Sequence, residues 1–477
     1  MARLLGIDVG TSGCKAVLID ERGNLIGLAS ATYPLSMPKP LWAEQNPSDW
    51  WAGVQTCLKE LDLSKLDGIG LTGQMHGAVF LDGNDEVIRP AILWNDQRTV
   101  EECQDIEDAV GRDRVRQITC NPPLTGFQLP KVLWLRKHEP EAFARLRRVL
   151  LPKDFIRLKL SGAHATEVSD ASGTGLLDVP NRRWSEEIAR ALHLDRDLFP
   201  PCSESFDVTA KTANGTPIVG GAGDQAAGAV GTGAVGQGIV SVSVGTSGVV
   251  FATLDAPVEE KHGALHTFCH ANGRWHAMGV MLSCGGALQW YVDAVSREGN
   301  VADALRSAAT APAGANGLTF LPYLSGERSP HNDPSARGVW AGLTLSHSAA
   351  DMARSVLEGV TFGLKDSMDR LVEMGAECRQ IRVTGGGARS SFWMQTMADV
   401  FGVECRSMAM EEGPAYGSAL LAGVGAGVWK TVGEACAATV RPKALFSPSG
   451  QDYSRALSRY RSLYPALEEW MAQAAGQ

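Results

Sequence analysis

Short apolar runs separated by glycine-rich turns open the chain and predict a three-stranded β-meander. The apolar runs cover residues 4–9, 15–19 and 25–32, joined by GTSG at residues 10–13 and by DERGN at residues 20–24. Glycine, asparagine and aspartate favour tight turns because they tolerate backbone angles that other residues avoid. The first 32 residues therefore predict three strands joined by two tight turns.

Strand-like and helix-like patterns alternate further along the chain. Residues 69–72 form a short apolar run that ends at a glycine, whereas residues 356–371 repeat apolar positions with helical spacing. Such alternation is typical of an α/β protein.

An internal echo predicts that this fold is duplicated. The GTSG of residues 10–13 recurs at residues 245–248, about half the chain later, and apolar runs flank both copies. A second echo pairs LTGQMHG at residues 71–77 with VTGGGARSS at residues 383–391. Two matches in the same order predict two similar halves that face each other across a cleft. We expect domains at residues 1–235 and 236–477, with a hinge in the glycine-rich segment between them.

The two Gly-Thr-Ser-Gly turns are candidate phosphate-binding sites. Glycine lets the backbone approach a ligand closely, and successive N–H groups with hydroxyls form a concavity that binds anions. The candidate residues are Thr11 and Ser12 in the first turn and Gly245, Thr246 and Ser247 in the second. Either turn alone would be read as an ordinary β-turn, and their duplication is what favours a phosphate site.

Asp8 is the first candidate for chemistry. It lies two residues before the first turn, and the matching position in the second half is Ser243, so the turn itself does not need an acid. A carboxylate at the end of a buried strand is costly unless it is paired or binds a cation. Asp8 is therefore expected to hold Mg²⁺ against nucleotide phosphates, and a structural cap is the alternative.

Asp224 is the second candidate. It follows the apolar run 217–219 and is surrounded by glycine and alanine, a pattern that predicts a strand leading into a helix of small residues. The N-terminus of a helix favours a carboxylate. Asp224 could accept the proton of a sugar hydroxyl as that hydroxyl attacks a phosphate, and it could also be a simple N-cap.

Two further patterns carry weaker signals. The triple glycine at Gly385, Gly386 and Gly387 follows a strand-like run and could pack against a nucleoside. His262, His266 and His270 are spaced by four, as metal ligands on a helix would be. Their segment instead predicts a hairpin that turns at residues 272–273 and places His276 on the partner strand, so structural histidines are expected.

Composition excludes several classes of protein. The 477 residues carry a net charge of −9, with 44% hydrophobic and 20% charged residues, which does not fit a nucleic-acid-binding protein. Ten cysteines form no C-x-x-C pair, so neither a zinc knuckle nor a dithiol motif is expected. No signal peptide or membrane span is predicted, and we expect a cytoplasmic protein with reduced thiols.

Several long motifs together resemble the FGGY family of carbohydrate kinases. The resemblance covers residues 5 to about 421, beginning with GIDVGTSGCKAVLID; VTGGGARSSFWMQTMADV resembles the family's adenosine-binding signature. Other segments are similar to those of members that phosphorylate D-xylulose. They are LWAEQNPSDWW, GQMHG, PAILWNDQR, LLPKDFIRLKLSG and LPYLSGERSPHNDPSARG.

The resemblance implies a two-domain, actin-like (ribonuclease-H-like) α/β fold with ATP in the interdomain cleft. It implies ATP and Mg²⁺ as cofactors, Asp224 as catalytic base and Asp8 as the metal-site acid. Met75, His76, Asp224 and Gln225 would contact a small ketose, for which D-xylulose is the expectation. The phosphate turns and Gly385, Gly386, Gly387 and Ser390 would hold ATP, and a homodimer is possible. The alternatives are a kinase of another pentulose or pentitol, an actin-like ATPase switch, and a catalytically idle sugar sensor.

Overall fold

A computed structural model describes residues 2–260, 263–296 and 299–475, so His262 lies outside the described residues. The strands, in chain order, are β1 Arg3–Val9, β2 Gly13–Asp20, β3 Leu25–Thr32, β4 Glu44–Gln45, β5 Gly68–Gly73, β6 Val79–Leu81, β7 Ala91–Ile92, β8 Arg148–Leu150, β9 Thr166–Glu167, β10 Leu177–Asp178, β11 Arg183–Trp184, β12 Cys202–Ser203, β13 Val208–Lys211, β14 Pro217–Val219, β15 Ala222–Gly223, β16 Gly238–Val244, β17 Gly248–Leu254, β18 Leu265–Cys269, β19 Trp275–Met281, β20 Thr319–Leu321, β21 Val339–Ala341, β22 Cys378–Gly385, β23 Glu404–Met408 and β24 Pro442–Phe446.

The α-helices are α1 Pro47–Glu60, α2 Val100–Val110, α3 Arg112–Thr119, α4 Gln128–His138, α5 Pro140–Arg145, α6 Pro152–Ser161, α7 Val168–Ala171, α8 Glu186–Ala191, α9 Asp224–Thr232, α10 Gly285–Ala294, α11 Val301–Ala308, α12 Ala349–Glu373, α13 Ser391–Phe401, α14 Gly413–Gly425, α15 Val432–Thr439 and α16 Ser454–Ala475. Within the described residues no helix is both long enough and apolar enough to cross a membrane.

Two seven-stranded sheets share one plan. The first has the order β13-β14-β5-β1-β2-β3, with β15 also paired to β5, and the second has the order β18-β19-β17-β16-β22-β23-β24. Each contains an antiparallel meander followed by two parallel strands, β3-β2-β1-β5-β14 in the first and β19-β17-β16-β22-β23 in the second. The predicted duplicated α/β fold is confirmed.

The elements predicted from hydrophobic pattern form where expected. The opening meander is β1, β2 and β3, and the run 69–72 lies inside β5. The periodic segment 356–371 lies inside α12, whose N-terminus is fixed by a capping box between Ser348 and Asp351. The histidine-rich segment forms the hairpin β18–β19, with Phe268 opposite His276.

A helix from the second half of the chain covers one face of the first sheet. Helix α14 lies across β1 and β5, so closely that a Cβ added at Gly70 would be 1.9 Å from the carbonyl oxygen of Ser418. Helix α9 packs equally closely against α14, since a Cβ at Gly231 would be 2.0 Å from the carbonyl oxygen of Gly413. Buried alanines and leucines of α9, α14 and α15 form one core with the first sheet. The hydrophobic pattern did not predict that a helix of the second half covers the first sheet.

Candidate active site

Strand register brings the predicted chemical residues to one edge of the first sheet. Asp8 on β1 pairs with Thr72 on β5, and Thr72 pairs in turn with Ala222 on β15, with all three strands parallel. The segments that leave these strand ends carry Gln74 to His76 after β5 and Asp224 after β15. The carboxyl ends of parallel strands are the usual position of a ligand site in an open α/β sheet.

Asp224 lies close enough to Asp8 to disfavour the charge of the Asp8 carboxylate. Burial and the nearby charge of Asp224 raise the pKa of Asp8 to about 7, and Lys15 opposes both effects. One oxygen of Asp8, Oδ1, is buried and has no hydrogen-bond partner among the described residues. Burial also raises the pKa of Asp224, to about 6. A pair of desolvated carboxylates in a cleft is a common signature of a functional site.

Asp224 is the first residue of α9 rather than its cap. The N-cap is Gly223, and no side chain caps this helix, so the N-cap alternative for Asp224 is wrong. Backbone and side-chain hydrogen bonds from Gln225 lower the pKa of Asp224 and offset part of the burial effect. Gln225, predicted to contact the sugar, therefore holds the Asp224 carboxylate.

The first phosphate turn is held by a polar network. The Thr11 hydroxyl donates to Gln74 Oε1 at 3.1 Å and accepts from Trp94 Nε1 at 3.0 Å, and Gln45 Nε2 donates to the Thr11 carbonyl at 2.7 Å. The side chain of Ser12 is exposed. Since the Thr11 hydroxyl is already engaged, this turn offers its backbone and Ser12 more freely than Thr11 Oγ1.

The second phosphate turn is docked on a helix. The carbonyl of Gly245 accepts from Gly285 N at 2.8 Å, and the carbonyl of Thr246 accepts from Gly286 N at 3.0 Å, both at the start of α10. Thr246 and Ser247 are exposed. Strand pairing leaves four residues in the first turn, between Val9 and Cys14, and three in the second. The two copies of the motif thus differ in register.

His76 presents one nitrogen of a neutral imidazole. Its Nδ1 lies 2.7 Å from the Gly173 carbonyl, so Nδ1–H donates there and Nε2 is left as an acceptor. Burial lowers the pKa of His76 to about 3, which keeps the ring neutral. Its φ of 69° is rare for a residue other than glycine and marks a constrained position.

Small and buried residues that the sequence analysis did not single out hold Met75 and His76 in place. A Cβ at Gly173 would be 2.5 Å from the His76 ring, and one at Gly223 would be 2.9 Å from Met75 Cγ. Lys131, buried on α4, donates to the carbonyls of His76 at 2.8 Å and Gly126 at 2.7 Å. A lysine among the apolar residues of QLPKVLWL was the only available signal for this support.

A cavity of about 690 Å³ opens at the carboxyl ends of β22 and β23. Gly385 and Gly386 line it, together with Lys15, Arg389 and Glu412. Gly387 instead packs inward, since a Cβ there would be 2.4 Å from Val244 Cγ1. Ser390 is the N-cap of α13, its Oγ accepting from Trp393 N at 3.2 Å.

A smaller cavity of about 210 Å³ links this space to Asp224. Thr384, Gly385 and Glu411 line both cavities. Ser243, the counterpart of Asp8 in the second half, lines the smaller one together with Asp224. A ligand spanning both cavities would therefore extend from the triple glycine to the base candidate.

One ion pair crosses between the halves beside these cavities. Lys15 on β2 lies 2.5 Å from Glu412, just before α14. Lys15 also lines the larger cavity and lowers the pKa of Asp8. Neither residue could be identified from the sequence, because an isolated lysine in a strand carries no motif.

The histidine cluster lacks metal-site geometry in the described part of the chain. His266, His270 and His276 are buried, and burial lowers their pKa values. The one group of possible metal ligands among the described residues is Glu101, Glu102 and His138 on α2 and α4, where Glu102 is buried and the other two are exposed. That these histidines are structural stays a prediction.

Both halves of the chain match the models of one protein family. Residues 3–231 match the N-terminal domain of the FGGY family of carbohydrate kinases, and residues 240–426 match its C-terminal domain. The chain belongs to this family, whose members use ATP as the phosphoryl donor.

Within this family, the chain is similar along most of its length to xylulose kinases. The chain is 44% identical over 435 residues to the xylulose kinase of Klebsiella pneumoniae, covering 88% of this chain and 89% of that protein. It is 40% identical to the xylulose kinase of Escherichia coli, covering 98% of this chain and all of that protein. The ligand-bound xylulose kinase of Lactobacillus acidophilus superposes with a TM-score of 0.93 at 27% identity, over 99% of this chain and all of that one.

Proposed function

We propose that this protein transfers the γ-phosphoryl group of ATP to the 5-hydroxyl of D-xylulose, giving D-xylulose 5-phosphate and ADP. The observation that carries the proposal is the convergence of Met75, His76 and Asp224 with Asp8 at one sheet edge, in a chain similar along most of its length to xylulose kinases. Met75 supplies an apolar wall, and His76 Nε2 accepts a hydrogen bond from a sugar hydroxyl.

Asp224 is the proposed general base. Its carboxylate takes the proton of the 5-hydroxyl while that oxygen forms a bond to the γ-phosphorus and the bond to the bridging oxygen of ADP breaks. A pKa of about 6 suits this role, since the carboxylate is mostly ionised at neutral pH yet more basic than an exposed one. Gln225 fixes the direction of the carboxylate.

The nucleotide is proposed to lie along the two connected cavities. Gly385 and Gly386 would face the adenosine, while the exposed turns at Ser12 and at Thr246 and Ser247 would face the phosphates. The roles of Gly387 and Ser390 stay predictions, as do the domain boundary at residue 235, the cytoplasmic location and the homodimer.

The residues around Asp8 fit a magnesium ion. Its buried and unpartnered Oδ1, next to a second carboxylate, supplies the hard oxygen ligand that Mg²⁺ prefers. A bound Mg²⁺ would neutralise charge on the phosphate oxygens during transfer. Asp8 would hold it, directly or through water.

The test is ADP release in a coupled assay with MgATP and each of D-xylulose, D-ribulose, L-ribulose, xylitol, D-arabitol and glycerol. We expect strong stimulation by D-xylulose alone. Stimulation by another member of the panel would support kinase activity but contradict D-xylulose as the substrate. ADP release that no sugar changes would contradict the proposal.

A further inference from the structure

Glycine dominates the segment that leads to the base candidate. The chain runs Gly220-Gly221-Ala222-Gly223 into Asp224, the first residue of α9. Glycine has more backbone freedom than any other residue, so such a run cannot by itself fix the carboxylate that follows. Larger residues are excluded because the segment is tightly enclosed, and a Cβ at Gly221 would be 1.9 Å from the Leu71 carbonyl oxygen. The position of Asp224 must therefore be set by contacts from outside this segment.

Polar groups from other parts of the first half hold the beginning of this segment. The Arg157 guanidinium donates to the carbonyls of Val219 and Gly220, both at 2.7 Å. The Gly221 amide donates to the Ser205 carbonyl at 2.8 Å. The backbone is thus fixed as it leaves β14, which leaves the residues next to Asp224 to be held by a different group.

A serine binds the last amide before the base. The backbone N–H of Gly223 donates to Ser169 Oγ at 3.2 Å, and both residues are buried. Gly223 is the N-cap of α9 and has no side chain with which to bind the first amides of the helix. The Ser169 hydroxyl, which comes from α7, therefore fixes the start of α9 directly before Asp224.

Ser169 belongs to a short segment that also contacts the sugar-site candidate His76. Residues 168–174 consist of α7 and the 3₁₀ turn Ser172–Thr174. Within this turn, the Gly173 carbonyl accepts from His76 Nδ1 at 2.7 Å. Two parts of the candidate site, the imidazole and the start of α9, are therefore held by one short piece of backbone.

A buried ion cluster anchors this piece of backbone. Glu167 caps α7, since its carboxylate accepts from Ser169 N at 2.7 Å and from Asp170 N at 2.9 Å. Lys153 Nζ lies 2.8 Å from Asp154, 3.5 Å from Glu167 and 3.4 Å from Asp170, and these four side chains are fully buried. Buried ion pairs contribute little net stability because the charges lose their hydration. The geometry that the cluster imposes on α7 is the better reason for its presence.

We propose that Ser169 is a positioning residue for phosphoryl transfer. Its hydroxyl holds the start of α9 so that the Asp224 carboxylate stays directed at the hydroxyl group to be phosphorylated. This assignment rests on the proposed function, in which Asp224 is the base and His76 contacts the sugar. Because Ser169 acts through the backbone of Gly223, its loss lowers the rate of transfer and leaves sugar binding at His76 nearly unchanged.

The test compares Ser169→Ala with Ser172→Ala, a matched control in the same segment. Ser172 is equally buried, and its hydroxyl accepts from Cys269 N at 3.0 Å, which belongs to β18 and not to α9. We expect Ser169→Ala to lower kcat about 10- to 100-fold, because a misplacement of about 1 Å can cost roughly 100-fold in rate. KM for the sugar and for ATP should change less than about 2-fold in both variants, and Ser172→Ala should keep kcat within the same limit.

Hydrogen exchange supplies a readout that does not depend on turnover. Ser169→Ala leaves the Gly223 amide without its acceptor, so residues 220–226 should exchange faster than in the unaltered protein while residues 265–271 do not. Ser172→Ala should show the reverse. Faster exchange at residues 220–226 together with the fall in kcat would support the assignment.

Two results would overturn the assignment. They are an unchanged kcat in folded Ser169→Ala, and a fall in kcat that Ser172→Ala matches, which would show a general structural effect. If Ser169→Ala fails to fold, Ser169→Cys decides by the same measurements, because a thiol is close in size but accepts hydrogen bonds only weakly. Failure of the proposed function would appear in the unaltered protein as ADP release that no sugar changes, whereas failure of this assignment appears only between the variants.

Discussion

At the scale of single residues, the candidate site depends on two carboxylates that the fold shields partly from water. The register of β1, β5 and β15 places Asp8 and Asp224 at one sheet edge, and burial raises both pKa values. Their positions, with Asp8 near the end of β1 and Asp224 directly after β15, could be predicted, because turn motifs and apolar runs are local. The supporting contacts of Lys131 and Gly173 could not be predicted, because the local sequence does not show which carbonyl groups a buried lysine will donate to.

Asp224→Asn tests the proposed base. The amide keeps the size of the side chain but cannot accept the proton, so kcat is expected to fall by about 10²- to 10⁴-fold. Binding of ADP, measured by calorimetry, should change little, because Asp224 lines the smaller cavity but not the larger one at Gly385 and Gly386. Turnover close to that of the unaltered protein would remove Asp224 from the mechanism.

The pH dependence of kcat/KM for the sugar gives a second test. Protonation of Asp224 removes the base, so the rate should fall as the pH drops through about 6. His76, with a pKa of about 3, stays neutral over this range and cannot cause the fall. Asp8 has a pKa of about 7 without metal, and bound Mg²⁺ would lower it.

Repeating the pH profile at two Mg²⁺ concentrations separates these carboxyl groups. A midpoint that does not move with Mg²⁺ belongs to Asp224, and one that moves belongs to Asp8. A flat profile from pH 5 to pH 8 would contradict both assignments.

At the scale of elements, the most consequential contact is the crossing of α9 and α14. Glycine at Gly231 and Gly417 allows backbones to touch, since a Cβ at Gly417 would be 1.9 Å from the Ala227 carbonyl oxygen. The strands and α12 were predictable because their periodicity is local. This crossing was not, because α14 is almost uniformly apolar and small, and its pattern does not say which sheet it covers.

A pair of substitutions in α9 tests the importance of this crossing. Gly231→Ala should destabilise the protein by about 1–3 kcal/mol, since its new methyl group overlaps the Gly413 carbonyl. Gly228→Ala, three residues earlier, would meet only Pro414 Cγ at 3.8 Å and should be neutral or slightly stabilising. Denaturant unfolding of the two variants supplies the comparison. Equal free energies of unfolding for the two variants would show that close packing of α9 against α14 does not contribute to stability.

At the scale of the whole molecule, the halves are similar in plan but not independent. The echo of GTSG predicted the duplication correctly, because each copy follows a first strand and opens the same meander. Yet the face of β1 and β5 is completed by α14, which comes from the second half. The junction is thus part of the core as well as the candidate site.

Separate expression of residues 1–235 tests this dependence. The fragment lacks α14 and α15, so the apolar face of its sheet is exposed, and we expect it to aggregate or to bind a hydrophobic dye. Coexpression with residues 236–477 should restore a soluble complex with sugar-dependent ADP release. A fragment that unfolds cooperatively with the melting temperature of the whole protein would contradict the expectation.

The placement of α14 also bears on how the protein is made. The first sheet is complete in sequence at Gly223, whereas the helix that covers it begins at Gly413. At about 5–20 residues per second, a ribosome needs roughly 10–40 s to add the intervening chain. During that interval the nascent first half carries an uncovered apolar face, so its demand for chaperones is set by a helix nearly two hundred residues downstream.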